Sequence, residues 1–211
     1  MPNYCTNELN ILGNEESVTR FMEQAKRKSK CLERSESGEL VESHTVGLLW
    51  NFVTPPEEIQ NEKDYFSEAR MTGFSKLPEN NWYEWNCAHW GTKWDVDTNF
   101  TDNLSNNFHS HGDGLASCWL EFDTAWSPPL PVVQAMAEQY PDLTIVMYYH
   151  EMGADFQGKV SYENGILVDQ FEGECDHEWY FDKTDYCLNE WLDGEICEKC
   201  KPDLVKEQSN G

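Results

Sequence analysis

The spacing of apolar residues predicts a strand and then a helix near the N-terminus. Residues 9–12 alternate apolar and polar side chains up to Gly13, which favours a short strand. Asn14 is a good helix N-cap, and two glutamates follow it in the first predicted turn. Apolar side chains then recur at helical spacing at Val18, Phe21, Met22 and Ala25. The basic run at 26–30 is expected in the last turn, where cations complement the helix dipole.

A second strand and a second strand–helix unit follow from the same kind of pattern. Residues 45–53 form an apolar run bounded by prolines, which we interpret as a strand. Residues 116–124 alternate strictly, as in a strand with one buried face. Ser127, followed by two prolines, is typical of a helix start. The buried stripe of that helix is predicted at Val133, Met136, Ala137 and Tyr140.

The last part of the patterned region predicts a central strand and a hairpin. Residues 143–150 are apolar on both faces, as expected for a strand covered on both sides. Residues 156–163 and 166–171 flank Asn164-Gly165, a strong signal for a two-residue hairpin turn. The order of these elements predicts an α+β fold, a ferredoxin-like sandwich with extra strands at one edge.

Two regions interrupt this pattern. Residues 55–114 have no clean period and predict a Trp-rich insertion with a short helix around 82–90. From residue 174 the chain becomes acidic and holds half of the eight cysteines. We therefore predict a ferredoxin-like domain at 1–173 and an acidic Cys-rich appendage at 174–211, the end of which is expected to be disordered.

Charge and composition exclude several classes of protein. The 211 residues include 39 Asp and Glu against 15 Lys and Arg, a formal charge of −24. Such a charge disfavours direct binding to nucleic acid and is compatible with a protein that mimics nucleic acid. The apolar fraction of 39% argues against a wholly disordered chain. The apolar runs are too short for a membrane helix, and no signal-peptide pattern is present, so we expect the protein in the cytoplasm of a host cell.

The densest group of chemically useful side chains is the run at 81–96, with four tryptophans. These indoles could line a pocket in which a flat ligand stacks while Lys93 or Asp95 orients it. Alternatively, they form the core of an insertion that has few other apolar residues. The pattern alone leaves both interpretations open.

Four separated segments resemble one known family. They are the opening at 1–7, Trp-Gly-Thr-Lys-Trp-Asp at 90–95, Thr-Ala-Trp-Ser-Pro-Pro at 124–129, and residues 149–158. Together they resemble the YubB ferredoxin-like domain family of phage and plasmid proteins, over about residues 1–172. The resemblance implies a ferredoxin-like domain and a mobile-element origin, and it supplies no catalytic residues. The candidate binding residues are Trp90, Lys93, Trp94, Asp95, Trp126, Ser127, Tyr149 and Glu151.

The appendage carries a candidate zinc site. Its four predicted ligands are Cys175, His177, Cys197 and Cys200, the last two in a Cys-x-x-Cys pair. Tetrahedral zinc takes four such sulfur and nitrogen donors. The alternatives are reduced thiols on a solvated tail and a redox dithiol at Cys197 and Cys200.

The remaining polar motifs favour no particular reaction. His109 and His111 lie in a Gly-rich stretch that we interpret as a polar loop, and Glu121 and Asp123 as a solvated strand face. No phosphate-binding loop or nucleophile elbow occurs in the sequence. We expect a non-enzymatic accessory protein that binds a host protein and inhibits a host defence system. The alternatives are a binder of a nucleotide-like small molecule or an enzyme that uses the Trp-rich pocket, and an acidic nucleic-acid mimic.

The zinc hypothesis has a direct test. Protein purified in reducing buffer should contain one zinc ion per chain by elemental analysis, and Cys200→Ser should lose it, because a structural site needs all four donors. A chelator should then accelerate proteolysis after Gly173. Metal-free protein with chelator-independent cleavage would exclude the site.

Overall fold

The computed structural model describes residues 3–27, 29–34, 40–45, 47–60, 81–96 and 107–175, with 29–34 and 40–45 described by their backbone. The predicted zinc ligands His177, Cys197 and Cys200 lie outside these ranges. Within the described ranges, no helix is both long enough and apolar enough to span a membrane.

Eight strands and five helices are described. In chain order they are β1 (Tyr4–Asn14), α1 (Glu15–Ala25), β2 (Ser29–Arg34), β3 (Leu40–Thr45), α2 (Leu48–Phe52), α3 (Glu57–Gln60), α4 (Trp82–His89), β4 (Phe108–Gly112), β5 (Leu115–Ala125), α5 (Leu130–Gln139), β6 (Thr144–Glu151), β7 (Phe156–Glu163) and β8 (Ile166–Gly173).

Six of the strands form one antiparallel sheet in the order β4-β5-β1-β6-β7-β8. Because β1 pairs antiparallel with both β5 and β6, those two strands run parallel to each other, and α5 connects them across β1. The path from β1 through α1 to β4 crosses β5 in the same way. These two interleaved crossovers give the ferredoxin-like fold, and β7 and β8 extend the sheet beyond β6. The predicted α+β class and edge strands are confirmed. Strands β2 and β3 pair separately.

One face of the six-stranded sheet packs against helices. Side chains alternate along β1, so that Cys5, Asn7, Leu9 and Ile11 are buried and their neighbours point to the other face. The helices contribute the predicted stripes of α1 and α5 to this core, together with the ring of Phe52 from α2. Phe21 of α1 lies 4.9 Å from Phe52, centroid to centroid. The opposite face of the sheet carries no described helix.

Several predicted elements are confirmed with adjusted ends. Strand β1 is longer than 9–12, α4 occupies the position predicted near 82–90, and the Asn164-Gly165 turn joins β7 to β8. Asn164 and Gly165 have φ of 53° and 74°, the left-handed conformation that this hairpin turn requires. His109 and His111 lie on strand β4, at the sheet edge, rather than in a loop.

Two local predictions are wrong. Residues 45–53 do not form one strand, because β3 ends at Thr45 and residues 48–52 form the helix α2. A continuous apolar run does not distinguish a buried helix from a buried strand, and here the helix is stabilised by a distant side chain described below. The basic run also lies outside the last turn of α1, because that helix ends at Ala25 and β2 begins at Ser29.

Candidate functional site

The four segments that carry the family resemblance meet at one end of the sheet. We refer to residues 3–7, 90–95, 124–129 and 149–158 together as the motif cluster. The backbone N–H of Trp126 donates to the carbonyl of Asn3 at 3.0 Å. The amide of Asn3 in turn lies so close to Gly153 that a Cβ added there would be 2.4 Å from Asn3 Nδ2. The segments are therefore joined directly, although they are far apart in the chain.

Two loops of the motif cluster are locked together by hydroxyl groups. Thr92 Oγ1 donates to the carbonyl of Ala125 at 2.8 Å, and Ser127 Oγ donates to the carbonyl of Gly91 at 2.5 Å. Gly91 has φ of 78°, and a Cβ there would lie 2.8 Å from Pro131 Cδ. The Ser127 hydroxyl thus fixes a tight loop–loop contact that only glycine permits.

Trp90 belongs to the core. Its side chain is fully buried, and its Nε1 donates to the carbonyl of Val53 at 2.8 Å. Its ring packs edge-on against Trp85 at 5.6 Å between centroids. These contacts connect α4 to the end of α2, so the geometry of Trp90 agrees with the core interpretation of the indoles.

The side chain of Asp95 caps helix α2, although Asp95 lies 46 residues after Leu49 in the sequence. Gly47 precedes α2 and has no side chain to cap it, and the Asp95 carboxylate accepts from the N–H groups of Leu49 and Trp50 at 2.8 and 2.9 Å. A third bond comes from the N–H of Val96. Burial raises the pKa of Asp95 to about 6, while the three N–H groups favour the charged form.

Lys93 and Trp94 are half-buried and contact each other. The Lys93 ammonium lies 4.8 Å from the centroid of the Trp94 ring and 5.9 Å from that of Tyr83. Cation–π contacts of this kind stabilise both partners. Lys93 therefore rests on aromatic rings, whereas Trp90 and Asp95 are engaged on other elements.

Tyr149 and Glu151 are buried and hold the start of β7. The Tyr149 hydroxyl donates to Glu172 Oε2 at 3.0 Å, and burial raises the pKa of Tyr149. The Glu151 carboxylate accepts from the backbone N–H groups of Gly153 and Ala154. Both side chains therefore have hydrogen-bond partners within the protein, in the turn and strands around them.

Trp126 differs from the other members of the motif cluster because it is exposed. About half of its surface, 51%, is accessible, and its φ is 72°. A bulky residue in the left-handed region is strained, and such strain is found more often at functional positions than elsewhere. Of the eight candidate binding residues, Trp126 presents the largest exposed ring.

Cys175 is the one predicted zinc ligand within the described ranges. Its Sγ lies 3.2 Å from the carbonyl oxygen of Phe156, beside the end of β6. No group of three or more metal-binding side chains occurs among the residues that the structure describes. The zinc site of the appendage stays a prediction.

The face of the sheet opposite the helices forms a second candidate site, which we call the open face. Exposed aromatic side chains project from it at Trp119, Tyr148 and Phe171, with 38%, 47% and 56% of their surfaces accessible. Strand register places one continuous row of side chains across five strands. In order across the sheet the row is Glu121, Glu8, Tyr148, Lys159 and Phe171.

The centre of the open face is acidic. Glu8 and Glu121 are directly opposite each other on β1 and β5, and Asp123 lies two residues further along β5. No Lys or Arg in the described ranges forms a salt bridge with these three carboxylates. The one cation in the row, Lys159, pairs instead with Asp169 at 2.8 Å. Like charges on facing residues are unfavourable unless a partner neutralises them.

Neighbouring polar groups do not neutralise the negative charge of these three carboxylates. Thr6 donates to Asp123 at 2.8 Å and Asn10 donates to Glu8 at 2.9 Å, and both donors are neutral. Burial lowers the pKa of His150, so that this side chain is uncharged at neutral pH, although nearby carboxylates oppose the shift. The open face therefore combines exposed aromatic rings with carboxylates that pair with no Lys or Arg of the described ranges.

The sequence analysis identified part of this surface. Alternation along 116–124 correctly placed Glu121 and Asp123 on one solvated face, whereas Trp119 and Tyr148 were not recognised as site residues. For Trp119 a signal existed, because it occupies an outward position of the alternating segment 116–124, whereas Tyr148 lies in a run that is apolar on both faces. A large aromatic side chain at an outward position points away from the core, so core packing does not explain its presence.

Residues 86–190 match the family model of the ferredoxin-like domain in Api92-like proteins. The chain belongs to this Api92- and YubB-like family. The matched range includes the end of α4, β4 to β8 and α5, and so covers the open face apart from β1, and most of the motif cluster.

Two known proteins extend this comparison. The uncharacterized protein YubB of Escherichia coli strain K12 is 37% identical over 73 residues, which is 35% of this chain and 48% of YubB. The chain thus matches about half of the length of this curated relative. The crystal structure of Api92 from Yersinia pseudotuberculosis aligns with a TM-score of 0.53 at 12% identity, over 83% of this chain and 99% of Api92. This second similarity shows that the Api92-like fold is shared.

The Asp95 cap predicts a specific dependence of stability on pH. Because the pKa of Asp95 is raised on folding, the folded state holds the proton more tightly than the unfolded chain. The carboxyl group therefore stabilises most below about pH 4 and loses this contribution as the pH rises to about 6. The unfolding free energy of the wild type minus that of Asp95→Asn should fall by about 2 kcal/mol over this range. Urea unfolding at several pH values measures it.

Asp113→Asn is the control for this measurement, because Asp113 is exposed in the β4–β5 turn. This variant removes one carboxylate without changing a buried site, so its difference from the wild type is the baseline against which Asp95→Asn is compared. A difference for Asp95→Asn that rises with pH would show that the three N–H groups outweigh burial.

The two tryptophans of the motif cluster should respond differently to substitution. Trp90→Ala should lower the unfolding free energy by about 3–5 kcal/mol, because it empties a buried site. Trp126→Ala should change it by less than about 1 kcal/mol, since the ring is half exposed. Trp126→Gly should be more stable than Trp126→Ala by about 1 kcal/mol, because glycine relieves the left-handed backbone. Equilibrium urea unfolding checks all three, and a less stable glycine variant would contradict the strain argument.

Proposed function

We propose that this protein is a non-enzymatic accessory protein of a phage or plasmid that binds a basic host protein through the open face. A host defence protein is the class of partner that the mobile-element resemblance suggests. The observation that carries the proposal is the centre of the open face, where Glu8 and Glu121 face each other, Tyr148 lies beside Glu8, and Trp119 lies two residues from Glu121 along β5.

The chemistry of this area suits arginine and lysine side chains. A guanidinium group pairs with carboxylates through charge-assisted hydrogen bonds and stacks on aromatic rings. Glu8 and Glu121 supply the first contact, and Trp119 and Tyr148 supply the second within the same area. A basic partner would also relieve the repulsion between the two glutamates, which gives the interaction a favourable contribution that is absent in the free protein.

The overall charge supports the same kind of partner. A formal charge of −24 attracts a basic protein over a distance of about 10 Å at moderate salt and repels nucleic acid. The motif cluster favours an enzyme less, because Tyr149, Glu151 and Asp95 are hydrogen-bonded to the protein's own groups. Non-enzymatic binding is therefore the function that the geometry supports best.

Binding of a labelled peptide tests the proposal. The probe is a fluorescein-labelled peptide of alternating arginine and glycine, titrated with the full chain and followed by fluorescence anisotropy. We expect binding at low ionic strength that weakens as salt is added, since exposed charges are screened. The double variant Glu8→Gln/Glu121→Gln should weaken binding about tenfold. Trp119→Ala should also weaken binding of the peptide, although it leaves the net charge of the protein unchanged.

A matched variant separates the open face from net charge. Glu16→Gln/Glu23→Gln removes two exposed carboxylates from α1, on the other side of the sheet, and changes the charge by the same amount. Its affinity should stay within about twofold of the wild type. Equal losses in the two double variants, or no effect of Trp119→Ala, would overturn the proposal.

A further inference from the structure

Strand β8 is an edge strand of the described sheet, and its own residues carry none of the usual protection. It pairs with β7 on one side, and no described strand lies on its other side. Seven of its eight residues are exposed, and four of these are large and apolar. They are Ile166, Leu167, Val168 and Phe171, with 67%, 42%, 53% and 56% of their surfaces accessible.

The other edge of the sheet is built differently. Strand β4 has five residues, two of them histidines, and its pairing is interrupted by a register shift between Ser110 and Gly112. Short strands, bulges, lysines and prolines are the common ways in which proteins prevent an edge from pairing with another chain. Strand β8 contains neither lysine nor proline. Its register shift lies near the hairpin turn, so that pairing is regular from Asp169 to Gly173.

We propose that β8 is a strand-addition site, where an extended segment of a basic partner protein pairs with the edge of β8 that no described strand occupies and extends the sheet. This inference rests on the proposed function, since it names the way in which the basic partner is held. In strand addition, backbone hydrogen bonds supply affinity and alternate side chains supply specificity. The exposed apolar residues of β8 would contact the alternate side chains of the added strand.

The net charge of the chain favours a strand from another protein over a strand from a second copy of this chain as the occupant of the edge. Two copies would bring together two chains that each carry a formal charge of −24, and would place the acidic residues of one β8 beside those of the other. A segment with lysine or arginine at alternate positions instead meets Glu172 on β8, whose carboxylate already accepts from Tyr149. The partner strand is therefore expected to alternate apolar and basic residues.

The edge and the open face form one continuous surface. Phe171 of β8 ends the row that crosses the open face, next to Lys159 and Tyr148. A strand added at β8 would place its outward side chains beside this aromatic end. The remainder of the partner could then reach Glu8 and Glu121 without leaving the sheet surface.

Amide exchange with a designed probe tests the strand addition. The probe is an acetylated, amidated peptide of alternating valine and lysine, added to the full chain. Amides of β8 should exchange about tenfold more slowly in its presence. A peptide of the same sequence that is N-methylated at every residue keeps the side chains and charge but has no N–H donors, and it should give no protection. Equal protection by both peptides would overturn the inference.

Two variants complete the test. Val168→Lys/Phe171→Lys adds two positive charges to the edge and should weaken binding of the unmethylated probe at least about tenfold. Thr19→Lys/Gln134→Lys adds the same charge at exposed residues of α1 and α5, on the other side of the sheet, and should keep the affinity within about twofold. Equal effects of the two variants would overturn the inference.

The remaining outcomes separate this inference from the proposed function. If Glu8→Gln/Glu121→Gln weakens the arginine probe while β8 gains no protection from the lysine probe, the proposed function stands and the strand addition fails. If sedimentation shows a dimer that Val168→Lys/Phe171→Lys dissociates, the occupant of the edge is a second copy, and the inference is overturned.

Discussion

The position of the buried Asn7 amide constrains the whole sheet. Its Nδ2 lies 2.9–3.1 Å from the carbonyls of Cys5 and Phe122 and from Thr124 Oγ1, in a side chain with no exposed surface. A shift of β1 by one residue would move Asn7 to the open face and leave these acceptors unpaired in the core. Thr124 extends this constraint to the motif cluster, because its hydroxyl group also donates to the carbonyl of Ser127. The register of the central strand and the position of the motif cluster therefore depend on one polar group.

This constraint explains why the two faces of the sheet can differ so strongly. With β1 held in register, its apolar side chains pack against the helices and its polar side chains lie on the open face. The motif cluster then serves largely to hold the end of the sheet, through Thr92, Ser127 and Glu151. The open face carries exposed aromatic rings and carboxylates that no described cation neutralises, and such carboxylates could not be buried in a core.

Local patterns predicted most of the fold and little of the site. Helices α1 and α5, strand β5 and the β7–β8 hairpin follow from periodicity and turn residues within one segment. Strand β6 follows from its apolar run, but the prediction that both of its faces are covered is wrong, because Tyr148 is exposed. Helix α2 was missed because its cap, Asp95, comes from 46 residues away, and no local pattern reports such a contact. The open face was recognised only in part, for a related reason. Trp119, Glu8 and Tyr148 become neighbours only when three separate strands pair, which requires the sheet order.

The pairing of β1 also has a consequence for the way in which the chain is made. Asn7 contacts Phe122 and Thr124, residues that are 115 and 117 positions later in the chain. At roughly 5–20 residues per second, a ribosome needs about 6–23 s to add such a length. During that time neither β5 nor β6, the two strands that pair with β1, is complete. A long wait for distant partners slows folding and leaves an early strand open to wrong pairing, so that assistance from a chaperone during synthesis would favour this architecture.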